Sequence, residues 1–319
     1  MSFSGSVKEE LLRHEDSARH CQIAELAAMI AFNGEIVRLP SKDIILRMSS
    51  ENESIIRKCF TLLGKTFTIN DEVSIDKKIV RKNNRFTIDI EDPETTVKVL
   101  QAIKVLTADR RPVHSDGLVS SMVIQKNCCR RAFLRGAFLC AGSISDPEKF
   151  YHFEIVCTTP AKALQLQEII QSFEIDAKIV KRKKYHVVYV KEGAQIVELL
   201  GLMGAGVSLM NLENVRILKG MRNTVNRKVN CETANINKTV NAAVKQMEDI
   251  IYIRDTVGLH RLPENLEETA LLRLEYPQAS LKELGTLLSI PVGKSGINHR
   301  LRKICSIAEE LRGVKEEQI

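Results

Sequence analysis

The chain has 319 residues, which is enough for two domains that each bury their own core. Hydrophobic residues make up 44% of it and charged residues 27%, an ordinary balance for a globular protein. No apolar run approaches the roughly 18 to 20 residues of a membrane span, and no basic segment followed by an apolar one opens the chain. These features argue against a membrane span and a secretory signal peptide, so we expect a cytoplasmic protein.

The net charge of +7 is by itself weak evidence for a polyanionic partner, but the basic residues are clustered. Residues 216–245 hold seven basic residues and one acidic residue, and residues 294–303 hold four basic residues and no acid. A further basic run covers residues 181–184. Clustering of this kind is typical of nucleic-acid-binding proteins, and it predicts double-stranded DNA as the partner.

The eight cysteines are scattered without a CxxC pair, and the histidines do not supply zinc-ligand spacing either. Most lie in apolar stretches, which predicts buried free thiols in a reducing cytoplasm. The sequence also lacks a glycine-rich phosphate-binding loop. We therefore expect no metal and no cofactor. The cysteines are Cys21, Cys59, Cys128, Cys129, Cys140, Cys157, Cys231 and Cys305.

Helical and strand patterns alternate over the first two-thirds of the chain, in an order that occurs twice. The first series is a helix over 20–33, a strand over 44–48, a helix over 54–63, strands near 72–79 and 85–90, and a helix from 93 to about 106. The second is a helix over 127–141, a strand over 150–157, a helix over 160–173, strands over 177–180 and 185–190, and a helix over 194–203. Gly34 and Gly142 end equivalent helices, 108 residues apart. The pattern predicts a duplicated α/β domain over 1–206, with repeats at about 20–106 and 127–204.

The strand patterns end after residue 206. Residues 207–231 are polar, rich in Asn and basic, which predicts a linker or extended arm. Its Arg222, Arg227 and Lys228 are candidates for contacts with a DNA backbone or minor groove, and a solvated linker is the alternative. Residues 232–319 predict an all-α domain. It opens with an amphipathic helix whose apolar stripe is Ile236, Val240, Val244, Met247 and Ile251.

Residues 280–304 have the pattern of a helix-turn-helix. Ser280 and Glu283 form a capping box that starts a helix. Pro291 interrupts the helical pattern, and Ser295 is placed to cap the helix that follows. The buried stripe of that second helix is predicted to be Ile297, Leu301 and Ile304.

The opposite face of the second helix carries side chains that suit DNA recognition. Asn298 and Arg300 are candidates for base contacts, because Asn and Arg pair bidentately with adenine and guanine edges. Lys294, Arg302 and Lys303 are candidates for phosphate contacts, and Ser295 and His299 complete the predicted site. A solvated basic helix in a small helical bundle is the alternative interpretation.

Two stretches rich in small residues end in glycine: LAAMIAFNG at 26–34 and LRGAFLCAG at 134–142. Tight core packing accounts for part of this composition. Both stretches also resemble degenerate versions of the LAGLIDADG signature of homing endonucleases, which implies a helix pair at a pseudo-twofold interface and a saddle of strands over DNA. In that family the acidic residue before each final glycine binds the metal that drives cleavage. Asn33 and Ala141 hold those positions here, and neither supplies a carboxylate oxygen to a divalent metal.

The whole chain resembles the WhiA family of bacterial regulators, which joins a LAGLIDADG-like domain to a C-terminal helix-turn-helix. The resemblance rests on MSF at 1–3, CCRRAFLRG at 128–136, MRNTVNRKVNCE at 221–232 and KSGINHRLRKI at 294–304. It implies roles in cell division and the cell cycle, in chromosome segregation, and in sporulation where the host sporulates, with transcription regulation in some members. The family usually has a second proline before the final turn, where this chain has Ile290-Pro291.

We thus expect an α+β fold, in which a duplicated LAGLIDADG-like saddle precedes an all-α helix-turn-helix domain. The expected function is non-enzymatic DNA binding at the nucleoid, with the first domain binding DNA or a protein. One alternative is an active LAGLIDADG-type endonuclease that uses displaced carboxylates such as Glu35 and Asp146. The other is an adaptor whose first domain binds a sigma factor or a division component. The DNA target and the oligomeric state are not predicted.

Overall fold

The computed structural model describes residues 2–38, 40, 44–67, 79–82, 84–111, 113 and 119–316. The chain forms two compact units, Met1–Gly220 and Met221–Ile319. A single long helix, Gly206–Thr256, begins in the first unit and ends in the second. None of the helices that the structure describes is both long enough and apolar enough to cross a membrane.

The first repeat of the first unit follows an N-terminal helix, α1 (Phe3–Arg13). Its four strands form an antiparallel sheet in the order β1-β2-β4-β3. The bounds of its elements are α2 (Arg19–Asn33), β1 (Gly34–Arg38), β2 (Ile44–Ser50), α3 (Glu53–Phe67), β3 (Val80–Lys82), β4 (Arg85–Ile90) and α4 (Pro93–Ala102).

The second repeat has the same series of elements and the equivalent strand order, β5-β6-β8-β7. The bounds of its elements are α5 (Asn127–Ala141), β5 (Gly142–Ile144), β6 (Phe153–Cys157), α6 (Pro160–Gln171), β7 (Lys178–Arg182), β8 (Tyr185–Val190) and α7 (Gly193–Met203). The predicted duplication is confirmed. Each repeat also has one short strand that the sequence did not predict, β1 or β5, directly after its small-residue helix. The strand predicted near 72–79 lies outside the described residues apart from Ile79.

Helices α2 and α5 pack closely against each other because small residues line their interface. A Cβ atom on Gly136 would lie 2.5 Å from the Glu25 carbonyl oxygen and 3.0 Å from the Ala28 Cβ. Each helix then passes straight into a strand through its final glycine. The N–H of Gly34 donates to the Ile30 carbonyl, and the N–H of Gly142 donates to the Phe138 carbonyl. The two glycines therefore occupy equivalent backbone positions in the two repeats.

Charged groups are also buried at this helix pair, where two cations share one carboxylate and Arg135 pairs in addition with Asp16. Glu25, Lys58 and Arg135 are all less than a tenth exposed. Arg135 Nε donates to Glu25 Oε2 at 3.0 Å and its Nη1 donates to the Met203 carbonyl at 2.9 Å. Lys58 Nζ lies 3.2 Å from Glu25 Oε1. Burial lowers the pKa of Lys58, and the Glu25 carboxylate opposes that shift. The Glu25 carboxylate thus joins α2, α3 and α5, and Arg135 joins α5 to α7.

The second unit is entirely helical among its described residues, 221–316. The C-terminal part of α8 (Gly206–Thr256) leads through a short 3-10 turn, Leu259–Arg261, into α9 (Glu264–Glu275), α10 (Leu281–Leu287) and α11 (Lys294–Glu316). Its apolar core includes Ile250, Ile253, Leu266, Ala270, Leu284, Ile297, Leu301 and Ile304. The buried Arg273 donates to the Ala279 carbonyl at 2.7 Å and thereby holds the segment between α9 and α10.

The prediction of a non-helical linker or extended arm over residues 207–231 is wrong, because these residues are helical within α8. Met221, Val225 and Val229 stand at helical spacing inside the segment, and no proline interrupts it. The Asn and Thr residues that suggested a linker lower helix propensity only by several tenths of a kcal/mol each, about 0.7 at most. The helix predicted beyond residue 231 is present, but its predicted apolar stripe is not buried, because four of its five residues are exposed: Ile236, Val240, Val244 and Ile251.

Candidate nucleic-acid interface

The capping box predicted at the start of α10 is present. The N–H of Ser280 donates to Glu283 Oε2 at 2.7 Å, and the N–H of Glu283 donates to the Ser280 hydroxyl oxygen at 3.3 Å. These bonds satisfy two of the free N–H groups at a helix start and fix the residue at which α10 begins. Leu284 and Leu288 are buried in the core of the second unit, so α10 is held against its neighbours.

The turn between α10 and α11 is tight and is anchored on two sides. The N–H of Val292 donates to the Gly285 carbonyl at 3.0 Å. Gly285 permits this approach, because a Cβ atom there would lie 2.2 Å from the Val292 carbonyl oxygen. On the other side, the N–H of Ser289 donates to Glu268 Oε1 at 2.6 Å, and this bond lowers the pKa of Glu268. The angle between the two helices of the motif is therefore set by close backbone contact.

Helix α11 has a buried side and an exposed side, as the sequence predicts. Ile297, Leu301 and Ile304 are fully buried, so the helix is held by its apolar side. Polar residues around the opposite side are solvent-exposed, and Asn298 lies half-buried at the edge of that surface. We call the exposed set the α11 basic face; it comprises Lys294, Ser295, His299, Arg302 and Lys303.

Arg300 takes a different position from the α11 basic face. It is half-buried, and its Nη1 donates to the Asn265 carbonyl at 3.3 Å and to the Thr269 hydroxyl at 3.4 Å, both on α9. The guanidinium of Arg300 therefore contacts the neighbouring helix. Of the cations in this segment it is the least available for a base edge, and a base contact would require these two bonds to break.

Ser295 does not occupy the capping position that the sequence predicts for it. Helix α11 begins one residue earlier, at Lys294, and the Ile297 N–H donates to the Gly293 carbonyl at 3.2 Å. Gly293 therefore stands where a cap would be, and Ser295 is the second residue of the helix. A glycine is tolerated at this position nearly as well as Ser, which explains how the helix begins without the serine.

The three basic residues predicted for the arm, Arg222, Arg227 and Lys228, are exposed on α8. Because an α-helix turns about 100° per residue, these residues point in three directions and do not form one stripe. The basic run at 181–184 lies at the turn between β7 and β8, where Lys183 has a left-handed φ of 54°. Arg182 Nη1 in this run pairs with Glu154 at 2.8 Å.

The end of the helix pair that resembles the nuclease centre carries no carboxylate from α2 or α5. Asn33 and Ala141 are the last residues of those helices, so the equivalent positions are an amide and a methyl group. The displaced carboxylates lie after the helices, at exposed positions: Glu35 on β1, and Asp146 beyond β5. Glu35 lies opposite Arg47 in the sheet, and Arg47 in turn pairs with Asp89 at 2.7 Å.

Four side chains of types that ligate metals lie together at the other end of the same helices. His20 and Cys21 in the first turn of α2 meet Cys128 and Cys129 in the first turn of α5, with all four ligand atoms within 4.8 Å of one another. Linear spacing does not reveal this group, because its members come from two helices. The one signal in the sequence is the repeat, since Cys128 follows His20 and Cys129 follows Cys21 by the 108 residues that separate Gly34 and Gly142.

The two repeats joined to a helix-turn-helix define a class of protein that couples a duplicated LAGLIDADG-like domain to an HTH domain. Three family models match: the WhiA N-terminal LAGLIDADG-like domain at residues 19–106, the WhiA LAGLIDADG-like domain at 130–222, and the WhiA C-terminal HTH domain at 225–308. The chain belongs to the WhiA family.

Relatives match over almost the full chain. A protein of Lachnoclostridium phytofermentans named Probable cell division protein WhiA is 54% identical over 98% of this chain and 100% of its own length. A protein of the same name from Lachnospira eligens is 50% identical over 98% of each chain. The crystal structure of full-length DUF199/WhiA from Thermatoga maritima matches with a TM-score of 0.58 at 27% identity, over 97% of this chain and 99% of that one.

Proposed function

We propose that this chain is a non-enzymatic bacterial protein that binds double-stranded DNA through α11. In this proposal it acts at the nucleoid as a transcriptional regulator in cell division, chromosome segregation and, in hosts that sporulate, sporulation. The observation that carries the proposal is the α11 basic face, on a helix whose opposite side is fully buried. The cell-division role draws its support from the name that the relatives carry.

Three features of α11 support entry into a major groove. An apolar side holds the helix on its partner, and the exposed side offers cations and hydrogen-bond donors to bases and phosphates. The N-terminal end of the helix carries Lys294 and Ser295, where the helix dipole also favours a phosphate. We assign base contacts to Arg302 and Asn298, and phosphate contacts to Lys294 and Lys303.

Arg300 has a supporting role in this scheme, because its guanidinium bonds to α9 and thereby holds the orientation of α11. Arg222, Arg227 and Lys228 each add a separate phosphate contact from the exposed surface of α8, because their side chains point in different directions. If about six phosphates are neutralised in all, the logarithm of the binding constant falls with the logarithm of the salt concentration with a slope of about −5.

The salt dependence of binding tests the proposal. Fluorescence anisotropy of the full-length chain on a labelled duplex should give this slope. Replacing Arg302 and Lys303 together by alanine should weaken binding and reduce the magnitude of the slope by about 1, because Lys303 is the phosphate contact of the two. The matched control replaces two exposed lysines of the first unit, Lys98 and Lys149, by alanine. A DNA affinity that does not depend on salt concentration, or that is the same in the Arg302/Lys303 variant as in the parent chain, would contradict the proposal.

The non-enzymatic part of the proposal is supported by the residues at Asn33 and Ala141, since two-metal cleavage needs paired acidic ligands. Incubation of the full-length chain with supercoiled plasmid and Mg²⁺ or Mn²⁺ should leave the plasmid intact. Sequence-specific nicking that disappears in the Glu35→Gln or Asp146→Asn variant would instead establish the endonuclease alternative.

A second candidate, an adaptor whose first unit binds a protein, is favoured by ion pairs on the two sheets. Arg47 pairs with Asp89 and Arg182 with Glu154, so a carboxylate partly neutralises each of these arginines for a DNA phosphate. Cross-linking of the full-length chain in cells, followed by mass spectrometry, distinguishes the candidates. Reproducible protein cross-links from Lys178 or Lys181 support the adaptor, and their absence removes it.

A further inference from the structure

The side chains at the N-terminal ends of α2 and α5 form a compact group of four ligands. The Sγ atoms of Cys21 and Cys129 lie 3.2 Å and 3.4 Å from His20 Nδ1. The Sγ of Cys128 completes the set, in which every ligand atom is within 4.8 Å of the others. Among the residues that the structure describes, this is the one such group of His, Cys, Asp and Glu.

The group follows the internal symmetry of the first unit. His20 and Cys128 are each the second residue of their helix, and Cys21 and Cys129 are each the third. Each repeat therefore contributes two ligands from equivalent positions. A twofold axis that relates α2 to α5 passes through the centre of the group. A tetrahedral ion is compatible with such an axis, because the four ligands of a tetrahedral ion divide into two equivalent pairs.

We propose that His20, Cys21, Cys128 and Cys129 bind a Zn²⁺ ion that ties the two repeats together at the start of their paired helices. Three thiolates and one imidazole are a ligand set that soft or borderline metals prefer, and hard cations such as Mg²⁺ or Ca²⁺ do not. Four protein ligands fill a tetrahedral coordination sphere, which is the arrangement of a structural zinc site and leaves no open position for catalysis.

The geometry is close to what zinc requires. With Zn–S bonds of about 2.3 Å, the sulfur atoms of a tetrahedral site lie about 3.8 Å apart. The observed spread of up to 4.8 Å is closed by small rotations of the ligand side chains. His20 and Cys128 are exposed, and a cavity of about 190 Å³ lined by His20, Lys126 and Cys129 opens beside the group. An ion therefore has a route in from solvent.

The group lies at the opposite end of the helices from Asn33 and Ala141, so the proposed ion is separate from the position that corresponds to the nuclease centre.

Metal analysis of the full-length chain, purified with a non-thiol reductant, tests the proposal. We expect one zinc ion per chain. After zinc removal, cobalt(II) should bind at one equivalent and give near-ultraviolet thiolate-to-cobalt absorption together with the intense visible bands of a tetrahedral site. Chelation should lower the thermal midpoint of the first unit, because binding energy in a structural site is also folding energy.

Two variants at exposed ligands, Cys128→Ser and His20→Ala, keep the test independent of core packing. Each should weaken cobalt binding by about a hundredfold or more, since even changes to the groups that support a ligand cost tenfold to a hundredfold. The matched control is Cys231→Ser, an exposed cysteine on α8, which should bind like the parent chain. Circular dichroism confirms that each variant is folded.

Three results would overturn the proposal: no thiolate-to-cobalt absorption in the parent chain, an equal loss of binding in Cys231→Ser, or a disulfide within the group that persists after purification with the non-thiol reductant.

Discussion

In the first unit the most buried cations, Arg135 and Lys58, both pair with the buried carboxylate of Glu25. In the second unit the cations of the α11 basic face are exposed to solvent. The described ion pairs of the second unit involve other cations: Lys245 with Glu309, Arg254 with Asp255 and Arg312 with Asp249. A neutralised buried charge supports architecture, and an exposed cation remains available to a polyanion. The same residue types thus do different work in the two units.

Replacing Glu25 by glutamine should give the largest loss of stability, because it leaves the buried Lys58 without a carboxylate and leaves Arg135 with Asp16 alone. We expect a cost of about 3–5 kcal/mol in the free energy of unfolding of the first unit. Urea denaturation followed by circular dichroism measures it. The control is Glu15→Gln, which breaks the exposed pair with Lys65 and should have little effect. An equal loss of unfolding free energy in the two variants would contradict the difference that we draw between buried and exposed ion pairs.

Gly285→Ala should affect the second unit and its DNA binding together. The added methyl group would meet the Val292 carbonyl oxygen at 2.2 Å, so the turn of the helix-turn-helix must open. We expect a loss of about 1–3 kcal/mol in stability and a clear loss of DNA affinity by anisotropy. Gly313→Ala on α11, where a Cβ meets nothing within 4 Å, is the matched control. Unchanged DNA binding by Gly285→Ala would show that the angle of the motif is unimportant.

Gly136→Ala tests the close approach of α2 and α5. Its Cβ would lie 2.5 Å from the Glu25 carbonyl oxygen, and we expect a net destabilisation of about 1–2 kcal/mol in urea denaturation. The matched control is Gly64→Ala on α3, where nothing lies within 4 Å. That control should gain up to about 1 kcal/mol, because alanine is the better helix former. A gain in both variants would mean that the helices do not need the glycine.

Glu268→Gln should give the smallest effect, and the effect should depend on pH. The Ser289 N–H lowers the pKa of Glu268 in the folded chain. A lowered folded pKa adds stability that is present above the unfolded pKa, near 4.5, and is lost as pH falls through the folded value. The parent chain should therefore be slightly more stable than the variant at neutral pH, and the two should converge in acid. Thermal unfolding at several pH values measures this difference, and a difference that grows in acid would contradict the assignment.

Much of the fold was predictable because its signals are local. The capping box at Ser280 and Glu283, the apolar stripe of α11 and the equivalence of Gly34 and Gly142 all appear in the structure. The capping box and the apolar stripe depend on residues within one or two helical turns, and the equivalence of the two glycines follows from the repeated order of elements. The resemblance to the LAGLIDADG signature, which the family models match, then related the two helices to each other.

Other features were missed, and two of them depend on partners that are distant in sequence. The contact of Arg300 with Asn265 and Thr269 joins two helices, and amphipathic periodicity alone places Arg300 on the outer side. The group formed by His20, Cys21, Cys128 and Cys129 needs the packing of α2 on α5 before it exists. The helicity of residues 211–231 was missed because polar composition was given more weight than the spacing of Met221, Val225 and Val229.

The central claim is that the α11 basic face binds DNA in the cell. Genome-wide mapping of bound DNA compares the parent chain with the variant that carries Arg302→Ala and Lys303→Ala, expressed at equal levels. The control variant carries Lys98→Ala and Lys149→Ala. The account predicts discrete sites for the parent and the control, and loss of those sites in the α11 variant. The same sites at the same occupancy in the α11 variant would contradict it.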